Sequence, residues 1–319
     1  MRFENIDLLK GLLIILVISG HVLQGSLSEN FARYIIYSFH MPVFIGISGF
    51  LFNSAKIGSV SFKELISKYL FRVIIPWAIA IIAYMVIVNS EQLKHGHKLG
   101  MFVMSFVSPY YHLWFIPAFL SWVFITWLSE KLKIGIKGLL VFSGVVSLGF
   151  LILSYYPAFY KSPPALNKAL DLLLGTFKPQ FYVFFVFGIY LRNHPVKNKL
   201  MHFVVLASFI GVVILFFYPN KIFGIILFFL FNLSFLNLLT AKARENFFPH
   251  VKSIQWLGVN SLAIYLWHVV PIILVTKLVG TNNLLLFYGV TVTAEVIFIL
   301  IIAQISKIKS INKYVFGMG

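Results

Sequence analysis

The sequence predicts an all-α, polytopic integral membrane protein, a helical bundle with about ten transmembrane helices and both termini in the cytoplasm. Three observations predict it. Of 319 residues, 60% are hydrophobic and 11% charged, against roughly 45–50% apolar and about 25% charged in an ordinary soluble domain. The apolar residues gather in runs near the roughly 20 residues a helix needs to cross about 30 Å of hydrocarbon. Finally, the 26 Lys and Arg, set against 9 Asp and Glu, fall unequally on alternate sides of those runs. A net charge of +17 in a soluble chain would suggest nucleic acid, but the polar residues are too few to build a solvated basic face, so no nucleic-acid partner is expected. With no cysteine, disulfides, thiolate metal sites and cysteine nucleophiles are excluded.

The runs cover roughly residues 8 to 26, 33 to 53, 72 to 89, 112 to 129, 138 to 155, 180 to 192, 201 to 218, 222 to 240, 255 to 276 and 284 to 305. The sixth is short unless it extends back into Leu172–Gly175. The stretch Leu99–Val107 is too short to span and reads as an interfacial or re-entrant piece before Pro109. The first run has no small-residue cleavage site and carries buried polar residues, so it reads as a span rather than a signal peptide. Continuous rather than alternating hydrophobicity rules out a β-barrel. Between the spans, eighteen Lys and Arg fall on one side and eight on the other. Short basic loops stay cytoplasmic, which sets the orientation and places the chain in the cell membrane, the bilayer being its first partner. The whole of 1–319 reads as one membrane domain, and Tyr156–Pro179 is its longest non-spanning segment, outside the cell.

Ionisable groups inside such a bundle are costly and usually face a pore or a site. In the first span Lys10 and His21 stand eleven residues apart, three helical turns, on one face and about 16 Å apart along the axis. The plain alternative is a Lys that snorkels to the interface and a His that bonds a carbonyl. Asp7, one turn from Lys10, is its natural structural partner. The second span carries Ser38-Phe39-His40-Met41-Pro42 and Ile47-Ser48-Gly49-Phe50, where packing alone would account for Ser48 and Gly49. Tyr110-Tyr111-His112-Leu113-Trp114 opens the fourth, at a depth where an aromatic belt is ordinary. In the ninth, Ser261, Tyr265 and His268 fall at i, i+4 and i+7 on one stripe. Glu295, in the middle of the tenth, calls for protonation, water or a partner such as Lys277 or a histidine. Lys68 and Arg72 lie four apart before Pro76 at the third span, as topological anchors or as complementary charge for a phosphorylated ligand.

In order along the chain, these segments resemble the acyltransferase-3 family of membrane O-acyltransferases, which includes polysaccharide O-acetylases. Asp7-x-x-Lys10-Gly11 followed by His21 is similar to the family's Asp-x-x-Arg-Gly opening and its His, with Lys where Arg is usual. Phe39–Pro42 and Ser48–Phe50 are similar to its second-span signature, Arg72 with Pro76 to its third, His112–Phe115 to its fourth, and Gly258–His268 to its late Gly-x-x-Ser-x-x-x-Tyr-Leu-x-His segment. The resemblance implies transfer of an acyl group, usually acetyl from acetyl-CoA, to a glycan hydroxyl at the far face, with no metal expected. It casts His21 as general base, or as a transient acyl carrier, because an imidazole with a pKa near 6.5 suits deprotonation of a hydroxyl. Lys10 would stand with His21 as a catalytic residue and, with Lys68, Arg72 and Ser48, would border the acyl-CoA. His40, His112, Trp114, Ser261, Tyr265, His268, Asp7 and Glu295 would line or support the site. Lys in place of Arg at position 10 supplies a point charge rather than a planar fork. Partners in polysaccharide synthesis or export are conceivable. The chief rival is a polysaccharide exporter or flippase without covalent chemistry, and a structural or sensory membrane protein is the third reading.

Overall fold

The computed structural model describes residues 4–89, 98–157, 164–196 and 200–317. Arg2, Lys94, Lys161, Lys197 and Lys199 of the charge count, and Pro163, lie outside them. Among the described residues every regular element is helical. In chain order the elements are α1 (Glu4–Val22), α2 (Phe31–Leu51), α3 (Ser54–Gly58), α4 (Phe62–Tyr69), α5 (Ile75–Val88), α6 (Lys98–Val107), α7 (Phe115–Lys131), α8 (Ile136–Tyr155), α9 (Pro164–Leu172) and α10 (Tyr182–Asn193). They continue with α11 (Met201–Phe217), α12 (Lys221–Arg244), α13 (Lys252–Val259), α14 (Ser261–Trp267), α15 (Val269–Val279), α16 (Leu284–Ile305) and α17 (Lys309–Tyr314).

Each of the ten apolar runs is helical, but they are not ten equal rods. Seven described helices are long and apolar enough to cross a membrane, and a pair, Asn167–Phe177 and Pro179–Asn193, bent by 44°, is a broken span or a re-entrant loop. The remaining two runs, α7 and α11, are 17-residue helices. The sixth run does extend back through Leu172–Gly175, so much of the segment expected to lie outside is one arm of that bent pair. The third span starts at Phe62 rather than 72, because α4 passes into α5 through a π-turn, Leu70–Ile74. The ninth run is broken: α13 is a separate helix, and the span proper is Ser261–Val279. The expected short piece Leu99–Val107 is α6, ten residues long.

Prolines account for several tertiary contacts, since each removes a donor and frees the carbonyl four residues back, which lipid cannot satisfy. Pro42 frees the carbonyl of Ser38, and the Asn232 side chain of α12 donates to it at 2.9 Å. Pro117 frees Leu113, which accepts from the Trp77 indole at 3.0 Å. Pro76 cannot donate to Arg72; there the helix widens so that the Ile75 N–H reaches Leu70, and a Cβ on Gly317 would stand 2.1 Å from the Arg72 oxygen.

Two helix crossings depend on glycine. A Cβ on Gly11 would lie 2.0 Å from the Ile254 oxygen, and one on Gly258 1.7 Å from that of Asp7, so α1 and α13 touch backbone to backbone. Gly49 against Phe185, with Gly188 against Gly46, does the same for α2 and α10. Burial is uneven: α1 and Ser261–Val279 are each 56% enclosed, whereas α8 and α16 are 22% enclosed and present Val141, Val145, Leu285 and Leu300 outward. At the end bearing both termini, Arg192 donates to the Leu51 carbonyl and Arg244 to that of Leu191. At the other, Lys221 donates to Tyr155 and Lys277 to Ile87.

Candidate active site

Three histidines from distant parts of the chain meet inside the bundle. His21 occupies the last turn of α1, His112 the turn before α7, and His268 the junction of α14 and α15. Ring centroids are 5.6 Å apart for His21 and His112, 5.2 Å for His21 and His268, and 4.4 Å for His112 and His268. One nitrogen from each lies within 4.8 Å of the other two. The turn holding His112 is strained, since Tyr111 has φ 46°, a left-handed conformation unusual for a residue with a side chain.

Hydrogen bonding separates their roles. Nδ1 of His268 bonds the carbonyls of Tyr265 at 2.9 Å and Ile264 at 3.2 Å, which places its proton on Nδ1 and leaves Nε2 a bare lone pair. That Nε2 is buried without a hydrogen-bond partner, and neither nitrogen of His112 has a well-formed one. Orphaned buried polar atoms cost about 1–3 kcal/mol each and call for an explanation other than stability. His112 and His268 are fully enclosed while His21 keeps some surface, so His21 is the member that an entering molecule meets. The trio is also a donor set for a metal. One nitrogen from each imidazole can turn toward a common ion, and the same spacing admits a hydrogen-bonded relay through a bridging water.

A cavity of about 240 Å³ opens toward the end of the bundle bearing the termini, and Lys10, Ser48, Tyr69, Arg72, Ser261 and Tyr265 line it. Its inner wall belongs to the histidine site as well: the Tyr265 phenol donates to the His112 carbonyl and its ring lies 4.8 Å from the imidazole. The stripe Ser261, Tyr265, His268 therefore runs from the cavity into the trio.

The remaining residues divide. Lys68 does not line this cavity; its ammonium lies outside, 5.9 Å from the ring of Tyr69. Trp114 stays apart from the histidines, stacked on Phe181 at 5.8 Å with Lys178 over its face. His40 stands beside the trio rather than in it, Nδ1 at 2.6 Å from the Ile36 carbonyl and near enough for its charge to be felt at His21. Asp7 contributes its main chain to the Gly258 crossing. Glu295 is 4% exposed, neither oxygen has a hydrogen-bond partner, and it faces a separate cavity beside Ser19 and Tyr288. Lys277 is not its partner, because its ammonium binds Ile87. Tyr84 goes unnoticed in the sequence, yet it is fully buried, its hydroxyl has no hydrogen-bond partner and its ring stands 5.8 Å from His112. As the one strongly polar side chain within the apolar run of α5, it had a signal of its own.

Comparison with known proteins agrees with the motif order. A family model described as an acyltransferase domain, that of acyltransferase-3, matches residues 3–304. The nodulation protein NolL of Sinorhizobium fredii (strain NBRC 101917 / NGR234) is 30% identical over 131 residues, 37% of this chain and 34% of that protein. NolL of Mesorhizobium japonicum (strain LMG 29417 / CECT 9101 / MAFF 303099) is 35% identical over 82 residues, 24% of this chain and 22% of that protein. The matched segments thus span about a third or less of these curated relatives. No solved structure matches.

Proposed function

The chain belongs to the acyltransferase-3 family, and on that premise we propose that it transfers an acyl group, acetyl first among them, from cytoplasmic acyl-CoA to a hydroxyl of an envelope or exported glycan. The observation that carries this reading is the continuity between the Lys10–Arg72 cavity and the histidine trio through Tyr265. An anionic donor needs cations at its point of entry, and Lys10 and Arg72 supply them beside Ser48. Its thioester then needs a base at the far end of the same path, and His21 on the same helix as Lys10 stands there. His21 takes the proton of the sugar hydroxyl as that oxygen attacks the thioester carbonyl. The tetrahedral intermediate collapses by breaking the C–S bond, and the CoA thiolate leaves with that proton, restoring neutral imidazole. His268, with Nδ1–H tied to carbonyls, offers Nε2 to orient His21.

The orientation with both termini in the cytoplasm, in the inner membrane, supports delivery of CoA from the side where it is made. Export without covalent chemistry would not need a base joined to a cation-lined cavity. The test is purified protein in lipid nanodiscs with acetyl-CoA and envelope glycans from cells lacking the gene. Release of free CoA together with acetylated glycan in mass spectra is the expected result; intact acetyl-CoA with every acceptor, and glycans of equal mass with and without the gene, would overturn it.

A further inference from the structure

A second cavity, of about 460 Å³, opens at the other end of the bundle, between the start of α2, the ends of α8 and α11 and the start of α12. Its size falls within the range of small-molecule sites, about 300–1,000 Å³. Tyr34, Tyr37 and Tyr155 form aromatic walls, and Gln180 and Lys221 border it. None of these residues takes part in the histidine trio or the cation-lined cavity.

Gln180 is the informative member. It is only 8% exposed, it lines the cavity, and its side-chain oxygen has no hydrogen-bond partner. A buried amide oxygen can only accept, so it calls for a donor from an entering molecule, such as a hydroxyl. The cation at the rim does not call for an anion: Lys221 already donates to the Tyr155 carbonyl at 3.1 Å and lies over the Tyr156 ring. Among the described residues no carboxylate lines the cavity to receive an amine. Flat aromatic faces with a buried amide acceptor, and a rim cation held on a carbonyl and a ring, suit a neutral, hydroxyl-bearing ring.

The cavity also adjoins the chemistry. Tyr37 belongs to its wall, packs 5.0 Å from His40 and directs its hydroxyl to the carbonyl of Gly20, the residue before His21. One aromatic side chain thus separates the cavity from the last turn of α1. We propose that this cavity is the acceptor subsite and takes a neutral sugar, with Gln180 accepting from a ring hydroxyl; that it serves acyl transfer rests on the function proposed above, while sugar binding does not.

The experiment measures sugar binding to the full chain in nanodiscs by saturation-transfer NMR, without acyl-CoA. The probes are cellobiose, maltose and N,N′-diacetylchitobiose, with glucuronic acid and glucosamine as charged counterparts. A neutral disaccharide should bind the wild type, and Gln180→Leu should weaken it about tenfold, the worth of one hydrogen bond to a buried acceptor. Tyr155→Ala, on a different helix, should weaken it as well, which separates loss of the subsite from misfolding of either variant. Equal binding by wild type, Gln180→Leu and Tyr155→Ala, or preference for a charged sugar, would overturn the proposal. Sugar bound here by a protein that transfers no acyl group would overturn the transferase reading and leave the subsite standing.

Discussion

The imidazole of His21 stands 5.2 Å from that of His268, although the two residues lie near opposite ends of the chain. The pair forms because the backbones of α1 and α13 meet at Gly11 and Gly258, which brings α14, and His268 at its end, against α1.

Removal of the proposed base should abolish chemistry and spare binding. His21→Ala is expected to lower kcat for acyl transfer by about 10²–10⁴-fold, the usual worth of general acid–base catalysis, with acyl-CoA affinity unchanged. His268→Ala should cost less and should alter the pH–rate profile, since it acts through His21. Single-turnover transfer and equilibrium CoA binding on the same preparations check both; undiminished turnover in His21→Ala would end the assignment.

Two neighbouring cations should behave differently. Arg72→Ala is expected to weaken acyl-CoA binding by about tenfold, the loss of one charge-assisted contact. Lys68→Ala should leave it nearly unchanged, because Lys68 lies outside the cavity that Arg72 lines. Calorimetric titration with CoA at fixed ionic strength distinguishes them, and an equal loss in both variants would mean that the charge acts only through the general field.

At the α1–α13 crossing a single methyl group should be felt. Gly258→Ala places a Cβ 1.7 Å from the Asp7 oxygen, so the helices must part, at a cost of about 1–3 kcal/mol typical of overpacking. A lower Tm together with weaker CoA binding is expected, as Lys10 shifts with α1. A Tm equal to that of the wild type would show that the crossing yields freely.

The Asn232 amide should matter because of Pro42. Asn232→Leu strands the Ser38 carbonyl in a place without water, at about 1–3 kcal/mol. In a Pro42→Ala background the restored N–H of residue 42 serves that carbonyl, and the same substitution should cost markedly less. A double-mutant cycle of thermal stabilities reads the coupling; additivity would refute it.

One pH effect lies outside the spans. The hydroxyl and backbone N–H of Ser26 both donate to Glu29 and hold its carboxyl below the usual range. A depressed folded-state pKa gives order that is present above the ordinary Glu value and lost as pH falls through the lowered one. Hydrogen exchange at the Ser26 amide should therefore accelerate, once corrected for intrinsic rate, on acidification through that range, and Glu29→Gln should remove the dependence.

Much of the architecture was legible in the residues, and its limits have physical reasons. Apolar run length fixes where helices form, since in lipid a backbone has little choice but helix. Ends and breaks were less legible: the π-turn at Leu70–Ile74 and the junctions at Asn260 and His268 arise where prolines and tertiary partners redistribute hydrogen bonds. Motif order pointed to His21, His112, His268 and Tyr265, because polar groups rarely enter a span without cause. It did not separate Arg72 from Lys68, or Trp114 from the histidines.

What the sequence determines by itself is a basic, cysteine-free, polytopic helical membrane protein with a cation and a histidine on one face of its first helix. Those properties reside in composition and in periods of 3.6 residues, which need no partner to be read. Only the tertiary structure decides that three imidazoles converge, that Tyr265 joins them to the cavity of Lys10 and Arg72, and that the side-chain oxygen of Gln180 is left without a partner in a cavity at the other end. These depend on which carbonyls prolines free and on where glycines let backbones touch, contacts between residues that no local pattern relates.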